Sequence, residues 1–179
     1  YEFIRGDALE FLREHAKWVR SNVALVDASP PCQLYSKTHQ INRGDYPDMI
    51  GQVRKELELI GVPYVIENVE GAESELIRPV TLCGTMFGMA TYRHRLFETG
   101  GWSFKAPEHQ GHTAPLTKMG RPRKDGEFAH YVGNFSGVEE ARQDMRMPWA
   151  TRDGLREAVP PAYTEYIGGQ FLLATGLVP

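Results

Sequence analysis

The sequence predicts an α/β domain built on a parallel sheet with helices on both of its faces. Apolar runs of strand length at 23–27 and 64–68 alternate with segments at 9–19 and 49–60, in which apolar residues recur at helical spacing. Such alternation is typical of parallel sheets, whose ligands bind beyond the carboxyl ends of the strands. Apolar residues make up 41% of the 179, which is enough for a core of this kind.

Short local signals predict the elements at the beginning of the chain. Phe3 and Ile4 indicate the end of a short strand, and Asp7 with Glu10 has the spacing of a helix capping box. The polar, turn-rich residues 29–45 are predicted as a long loop, and loops of that length without secondary structure are often functional.

The periodicity fades after Gly100. The following residues are rich in Gly, Pro, His and charge, which indicates an irregular, partly mobile insert. Helical signals return at 151–157, and Pro160-Pro161 opens a last helix because proline is accepted in a first turn. The predicted parts are 1–100 for the α/β core, 101–147 for the insert, and 148–179 for C-terminal helices that return to the core.

Composition excludes several classes of protein. No stretch approaches the ~20 apolar residues of a membrane span, and no basic-then-apolar leader is present. Cys32 and Cys83 are too few for a disulfide framework. We therefore predict a cytoplasmic protein with no membrane partner and no obligate protein partner.

A basic stretch interrupts a chain whose net charge is −3. Four cations stand within seven residues with no acid among them: Lys118, Arg121, Arg123 and Lys124. A solvated loop explains such a stretch, and so does an arm that follows nucleic-acid phosphates, which we favour.

Three motifs carry reactive side chains at or near predicted strand ends. Cys32 follows two prolines that fix the backbone, and is either a buried structural thiol or a nucleophile. Glu67 ends an apolar strand, where desolvation should raise its pKa unless it pairs with an arginine or caps a helix. Arg93 and Arg95 are two positions apart, so on a strand their side chains point to the same face. Two cations on one face indicate either a clamp for an anion or an exposed edge of the sheet.

In order and spacing these motifs resemble the DNA cytosine-5 methyltransferase family. The family's Pro-Cys-Gln, Glu-Asn-Val and Gln-x-Arg-x-Arg motifs are similar to Pro31-Cys32-Gln33, Glu67-Asn68-Val69 and Thr91-Tyr92-Arg93-His94-Arg95. Further similarities lie at Gly6-Asp7, at Phe87-Gly88 and in the helix from Pro160 to Gly168. The resemblance covers residues 1–100 and 148–172, and compact phage-type members are the nearest in kind.

The chain also departs from the family pattern. Thr91 stands where the family has Gln, and Glu157-Ala158 stands where Gly-Asn is usual. The family's opening strand and Phe-x-Gly-x-Gly loop, which grip S-adenosylmethionine, would precede Tyr1. We therefore expect the chain to be a fragment of a longer protein.

The resemblance implies a Rossmann-like sheet that uses S-adenosylmethionine to methylate cytosine in double-stranded DNA, in a phage or bacterial setting. The implied catalytic residues are Cys32, Glu67, Asn68, Arg93 and Arg95, and the implied contacts to S-adenosylmethionine are Asp7, Ala8 and Pro31. The expected DNA contacts are Gln33, Tyr35, Ser36, Lys37, Arg43, Lys118, Arg121, Arg123 and Lys124.

By this resemblance the Cys32 thiolate attacks C6 of a cytosine that has left the duplex. Glu67 holds N3 and the exocyclic amine, and Asn68 keeps the neighbouring loop or base in register. Arg93 and Arg95 bind the base carbonyl and an adjacent phosphate or sugar, and Arg95 favours the thiolate. Asp7 is a helix N-cap in any case, and by resemblance also accepts from the adenine amine.

Three alternatives remain open. The first is a relative of the family that binds DNA without catalysis. The second is a cysteine hydrolase that pairs Cys32 with His39 or His94. The third is an enzyme that carries out the same methylation on a free nucleotide. Cys83 is interpreted as a structural thiol far from His109 and His112. Two histidines without further ligands do not make a zinc site, so no metal is predicted.

Overall fold

The computed structural model describes residues 2–36, 46–118 and 120–177. Its helices are α1 (Ala8–Glu14), α2 (Ala16–Asn22), α3 (Ile50–Ile60), α4 (Val138–Asp144), α5 (Arg152–Glu157) and α6 (Pro161–Thr175). Its strands are β1 (Val26–Ala28), β2 (Tyr64–Asn68), β3 (Val80–Leu82) and β4 (Arg95–Gly100). Short 3₁₀ turns occupy Glu70–Glu75 and Gly84–Phe87.

The four strands form a mixed sheet in the order β1-β2-β4-β3. β1 and β2 are parallel, and their register sets Val26 opposite Tyr64. β2 and β4 are antiparallel, and Asn68 lies opposite Leu96. The predicted α/β class is confirmed, but the expectation of a purely parallel sheet is wrong. An antiparallel partner needs no crossover helix, and the 3₁₀ turns between β2 and β4 are sufficient connections.

Helix α3 and strand β2 form where the sequence pattern predicts them. Val53, Leu57 and Ile60 lie on the buried face of α3, and Gly61 ends the helix at a φ of +75°, in the left-handed region that favours glycine. All five residues of β2 are buried, because the strand is covered on both faces.

The first residues differ from the prediction. Phe3 and Ile4 are 88% and 61% exposed, and residues 2–6 form no strand, so the strand predicted there is wrong. Among the described residues these two find no neighbouring strand to complete their backbone bonding. The helix predicted over 9–19 is interrupted at His15, whose ring stacks on Phe11 with centroids 4.4 Å apart.

The chain divides into two compact units. The first comprises the described residues of Tyr1–Val80 with Leu96–Ser103, and the second comprises those of Thr81–Arg95 with Phe104–Pro179. The core of the first unit is built from apolar residues of α1, α3, β2 and β4. Residues of the predicted insert and the C-terminal helices thus belong to one unit, together with the segment before β4.

The second unit has a core of its own. Tyr131 and Phe135 pack edge-to-face with centroids 5.3 Å apart and join Met145 and Leu155 in a buried cluster. The predicted helix at 151–157 is confirmed as α5, with the Thr151 hydroxyl accepting from Gly154 N–H as N-cap. The described part of the chain contains no helix long and apolar enough to cross a membrane.

Candidate functional site

The Pro-Pro-Cys segment forms a tight turn after β1. Pro30 is buried, while Pro31 and Gln33 are exposed. The Tyr35 N–H donates to the Cys32 carbonyl at 3.1 Å, which closes the turn. Cys32 is a free thiol and is half-buried, so solvent and a reactant can reach it while the backbone around it is held.

Asn68 fastens this turn to the end of β2. Its side chain is fully buried, and its Nδ2 donates to the Pro30 carbonyl at 3.0 Å. Its Oδ1 accepts from the Val69 N–H at 2.9 Å, so both ends of the amide are satisfied. The structure therefore brings two of the three predicted motifs together, through a bond between residues 38 positions apart.

A close backbone approach holds the same turn from the other side. A Cβ on Gly71 would lie 2.0 Å from the Tyr35 carbonyl oxygen, so only glycine fits there. The Tyr35 hydroxyl donates to Asp48 Oδ1 at 2.5 Å, and burial together with that carboxylate raises the pKa of Tyr35. Tyr35, expected as a DNA contact, thus serves to anchor the turn.

Glu67 is buried, at 8% exposed, as the sequence predicts. It lies opposite Phe97 of β4 in the antiparallel register. Because side chains alternate along a strand, Glu67 faces away from Tyr64, Ile66 and Asn68, which share one face. The carboxyl and the Asn68 amide therefore serve different sides of the sheet.

Arg93 has a different setting from the one predicted. It precedes β4, which begins at Arg95, so the expectation that both arginines share one strand face is wrong. Its φ of +34° is rare for a residue with a side chain. The buried Tyr163 hydroxyl donates to the Arg93 carbonyl at 2.9 Å and holds this conformation.

The Arg93 guanidinium binds the protein itself. It donates to the carbonyls of Ala158, Tyr131, Leu155 and Arg156 at 2.6–3.1 Å, and all three of its nitrogens take part. Three of these carbonyls lie at the end of α5, where a cation is favoured. Arg93 therefore ties segments of the second unit to one another rather than offering an open anion clamp.

The basic stretch is partly neutralised by acids from elsewhere in the sequence. Arg121 forms a bidentate pair with Glu127, at 2.5 and 2.8 Å. Arg123 pairs with Asp144 at 2.7 Å and with Glu140 at 3.6 Å. The patch is thus less basic than the sequence indicates, and Lys118 and Lys124 are its exposed cations.

The three residues expected to contact S-adenosylmethionine are all exposed. The Asp7 carboxylate caps α1 by accepting from the Glu10 N–H at 2.8 Å, so the N-cap prediction is confirmed. Ala8 begins that helix, and Pro31 lies in the Cys32 turn.

The remaining residues predicted to act in the loop at 29–45 follow the Cys32 turn. Ser36 is half-buried. Lys37, His39 and Arg43 lie outside the residues that the structure describes.

The second unit contains a cluster of potential metal ligands that the sequence analysis did not predict. Cys83 is not distant from the histidines of the insert: its Sγ lies 3.4 Å from His112 Nε2, and His94 and His109 join them. The argument that His109 and His112 lack further ligands is therefore wrong. The sequence signal was weak, since 10 or more residues separate these positions except for the His109-x-x-His112 pair.

Comparison of the chain with protein-family models, with curated proteins and with solved structures gave no match.

Proposed function

We propose that the chain is the catalytic part of a DNA cytosine-5 methyltransferase, with a Rossmann-like core and Cys32 as its nucleophile. The observation that supports this most is the 3.0 Å bond from Asn68 to the Pro30 carbonyl. That bond joins the Pro-Cys-Gln and Glu-Asn-Val motifs beyond the carboxyl ends of the parallel strands β1 and β2. A ligand site is expected at such an edge.

The proposed reaction begins at Cys32. Its thiolate forms a bond to C6 of the flipped base, and the electrons of the C5=C6 bond move towards N3, which takes a proton from Glu67. The Glu67 carboxyl is buried and screened from water. A hydrogen bond from it to the base is stronger in such surroundings than in water.

The resulting enamine carbon C5 then accepts a methyl group. Loss of the C5 proton to a base and return of the N3 proton to Glu67 restore the C5=C6 bond. The C6–S bond breaks in the same elimination, and Cys32 leaves as thiolate.

S-adenosylmethionine would supply the electrophilic methyl group, and the electrons of the broken S–CH₃ bond would stay on its sulfur, which would leave as a neutral thioether. The exposed Asp7 carboxylate fits a role in holding it, because one oxygen caps α1 and the other is able to accept from an adenine amine. Ala8 and Pro31 would line the same ligand. The glycine-rich loop of the resembled family is not among the residues of this sequence.

Double-stranded DNA is the proposed substrate. Lys118 and Lys124 are exposed and carry the phosphate contacts in this proposal, whereas Arg121 and Arg123 hold the segment through Glu127 and Asp144. A hydrolase that pairs Cys32 with His94 is disfavoured, because the His94 ring already forms a hydrogen bond with the Cys83 thiol.

The proposal is tested by trapping. The full-length protein is incubated with S-adenosylmethionine and plasmid DNA in which 5-fluorocytosine replaces cytosine, so that no target sequence need be known. Fluorine at C5 prevents the final elimination, so the enzyme stays bonded to the base. We expect a covalent protein–DNA adduct whose peptide map places the bond on Cys32.

Two variants make the result specific. Cys32→Ala should give no adduct, and Glu67→Gln should form it at least tenfold more slowly. Cys83 is the internal control, since its peptide should stay unmodified. No adduct with the wild type, or an adduct on Cys83, would refute the assignment.

A further inference from the structure

Four potential metal ligands converge in the second unit. The Cys83 sulfur and one ring nitrogen from each of His94, His109 and His112 all lie within 4.8 Å of one another. The His109 and His112 Nε2 atoms are 3.0 Å apart, and the Cys83 Sγ is 3.4 Å from the same His112 Nε2. None of these side chains is needed for the proposed methyl transfer.

Hydrogen bonding alone explains this arrangement poorly. A ring nitrogen has either one proton or one lone pair, yet His112 Nε2 faces both a thiol and a second imidazole nitrogen. Ligand atoms aimed at one another are the geometry expected around a common ion.

The spacing matches a tetrahedral ion. Zinc bonds of about 2.3 Å to sulfur and 2.0–2.1 Å to nitrogen separate ligand atoms by roughly 3.3–3.6 Å at tetrahedral angles. The His109–His112 and Cys83–His112 separations, 3.0 and 3.4 Å, are close to that interval, and all four ligand atoms lie within 4.8 Å of one another.

The surroundings favour a thiolate and orient the rings. Burial raises the pKa of the Cys83 thiol, but hydrogen bonds from His94 and Thr85 outweigh burial and leave it below its ordinary value. Tyr92 stacks on His112 with centroids 3.7 Å apart, and the Tyr92 hydroxyl donates to the Ala114 carbonyl at 2.6 Å. Metal sites depend on such outer contacts to fix their ligands.

We propose that Cys83, His94, His109 and His112 bind a structural zinc ion. One thiolate with three imidazoles is a donor set that suits Zn²⁺, and four protein ligands leave no open position for catalysis. The ion ties the loop that carries His109 and His112 to Cys83, before a 3₁₀ turn, and to His94, before β4. Residues 103–113 form no helix or strand, so the bonds to zinc order them.

The test measures zinc directly and does not depend on methyl transfer. Full-length protein without a histidine tag is reconstituted with zinc, dialysed against metal-free buffer and analysed by mass spectrometry for metal content. We expect one equivalent in the wild type. His109→Ala removes an exposed ring, so it should fold and bind zinc more than tenfold more weakly. His130→Ala, an exposed histidine of the same unit outside the cluster, should bind like the wild type.

Cobalt substitution identifies the sulfur ligand. The Co²⁺ protein should show a thiolate-to-cobalt band in the near ultraviolet that Cys83→Ser loses and Cys32→Ser retains. If Cys83→Ser does not fold, the His109→Ala and His130→Ala pair decides the question alone. A wild type without zinc after reconstitution, or equal affinities of those two variants, overturns the proposal whether or not the protein methylates DNA.

Discussion

The two cysteines of the chain have contrasting surroundings. Cys32 is half-buried in a turn of the first unit, and the nearest support for that turn is the neutral amide of Asn68. Cys83 is fully buried in the second unit, with three imidazoles around its sulfur. Cys32 is therefore the thiol that solvent can reach, whereas Cys83 is the thiol with a ready set of potential metal ligands.

A shared device holds both thiol segments. A Cβ on Gly71 would lie 2.0 Å from the Tyr35 carbonyl oxygen. A Cβ on Gly84, which is next to Cys83, would lie 2.0 Å from the Thr91 carbonyl oxygen. Each segment is therefore fixed by a backbone approach that only glycine allows. The difference between the sites lies in the side chains brought to the sulfur, not in how firmly the backbone is held.

The largest expected effect concerns Arg93, which supports the second unit. Arg93→Ala leaves four carbonyls without their charged donor and should lower the free energy of unfolding by about 3 kcal/mol or more. Arg93→Lys keeps the charge without the planar fork, so its loss should be smaller. Urea unfolding measures both, and alkylation followed by peptide mapping should show faster modification of Cys83 but not of Cys32.

If Arg93→Ala has the same free energy of unfolding as the wild type, the assignment of a structural role to Arg93 is wrong. The guanidinium would then not be required by the carbonyls and would be available for an anion, as the resemblance to the methyltransferase motif implies.

Patterns within one element predicted its structure well. The face of α3 formed by Val53, Leu57 and Ile60 and the apolar run of β2 were readable because spacing alone decides which side chains are buried. The end of β2 was also foreseen as a site of polar residues. Such inferences need only neighbours a few residues apart.

Contacts that depend on how the chain folds back were not predictable in the same way. Glu127 stands only six positions after Arg121, but the spacing does not indicate that the two form a bidentate pair, and Asp144 reaches Arg123 from 21 positions away. The basic stretch is therefore less cationic than its sequence indicates. His94 and Cys83 likewise meet through the fold. Cation charge and metal ligation depend on partners, and partners are set by tertiary structure.

A smaller effect is expected at Asn68 in the first unit. Asn68→Ala leaves the buried Pro30 carbonyl without its donor, which should cost about 1–3 kcal/mol of unfolding free energy. Alkylation of Cys32 should accelerate while that of Cys83 stays unchanged, the opposite pattern to Arg93→Ala. Asn68→Asp, similar in shape but without the N–H donor, should behave like Asn68→Ala; if it is as stable as the wild type, the bond to Pro30 is not what holds the turn.

The smallest expected effect is a dependence of stability on acid pH, which we expect for the Arg121–Glu127 pair of the second unit but not for the Asn68 bond of the first. Arg121, followed by the Lys124 N–H, lowers the pKa of Glu127 from 4.5 to about 2. A carboxyl whose pKa is depressed on folding contributes stability that is fully present above its unfolded pKa. The contribution of this pair should therefore decline as the pH falls from about 4.5 towards 2, whereas the Asn68 amide bond has no group that titrates there.

Carbon-detected NMR titration of the Glu127 carboxyl measures this directly. We expect a midpoint near pH 2 in the wild type and a return towards 4.5 in Arg121→Gln, because the first cause of the shift is the bond to Arg121. A wild-type midpoint near 4.5 would mean that the pair does not persist in solution. Arg121 would then join Lys118 and Lys124 as a cation open to phosphate, and the basic stretch of the second unit would regain the character that its sequence indicates.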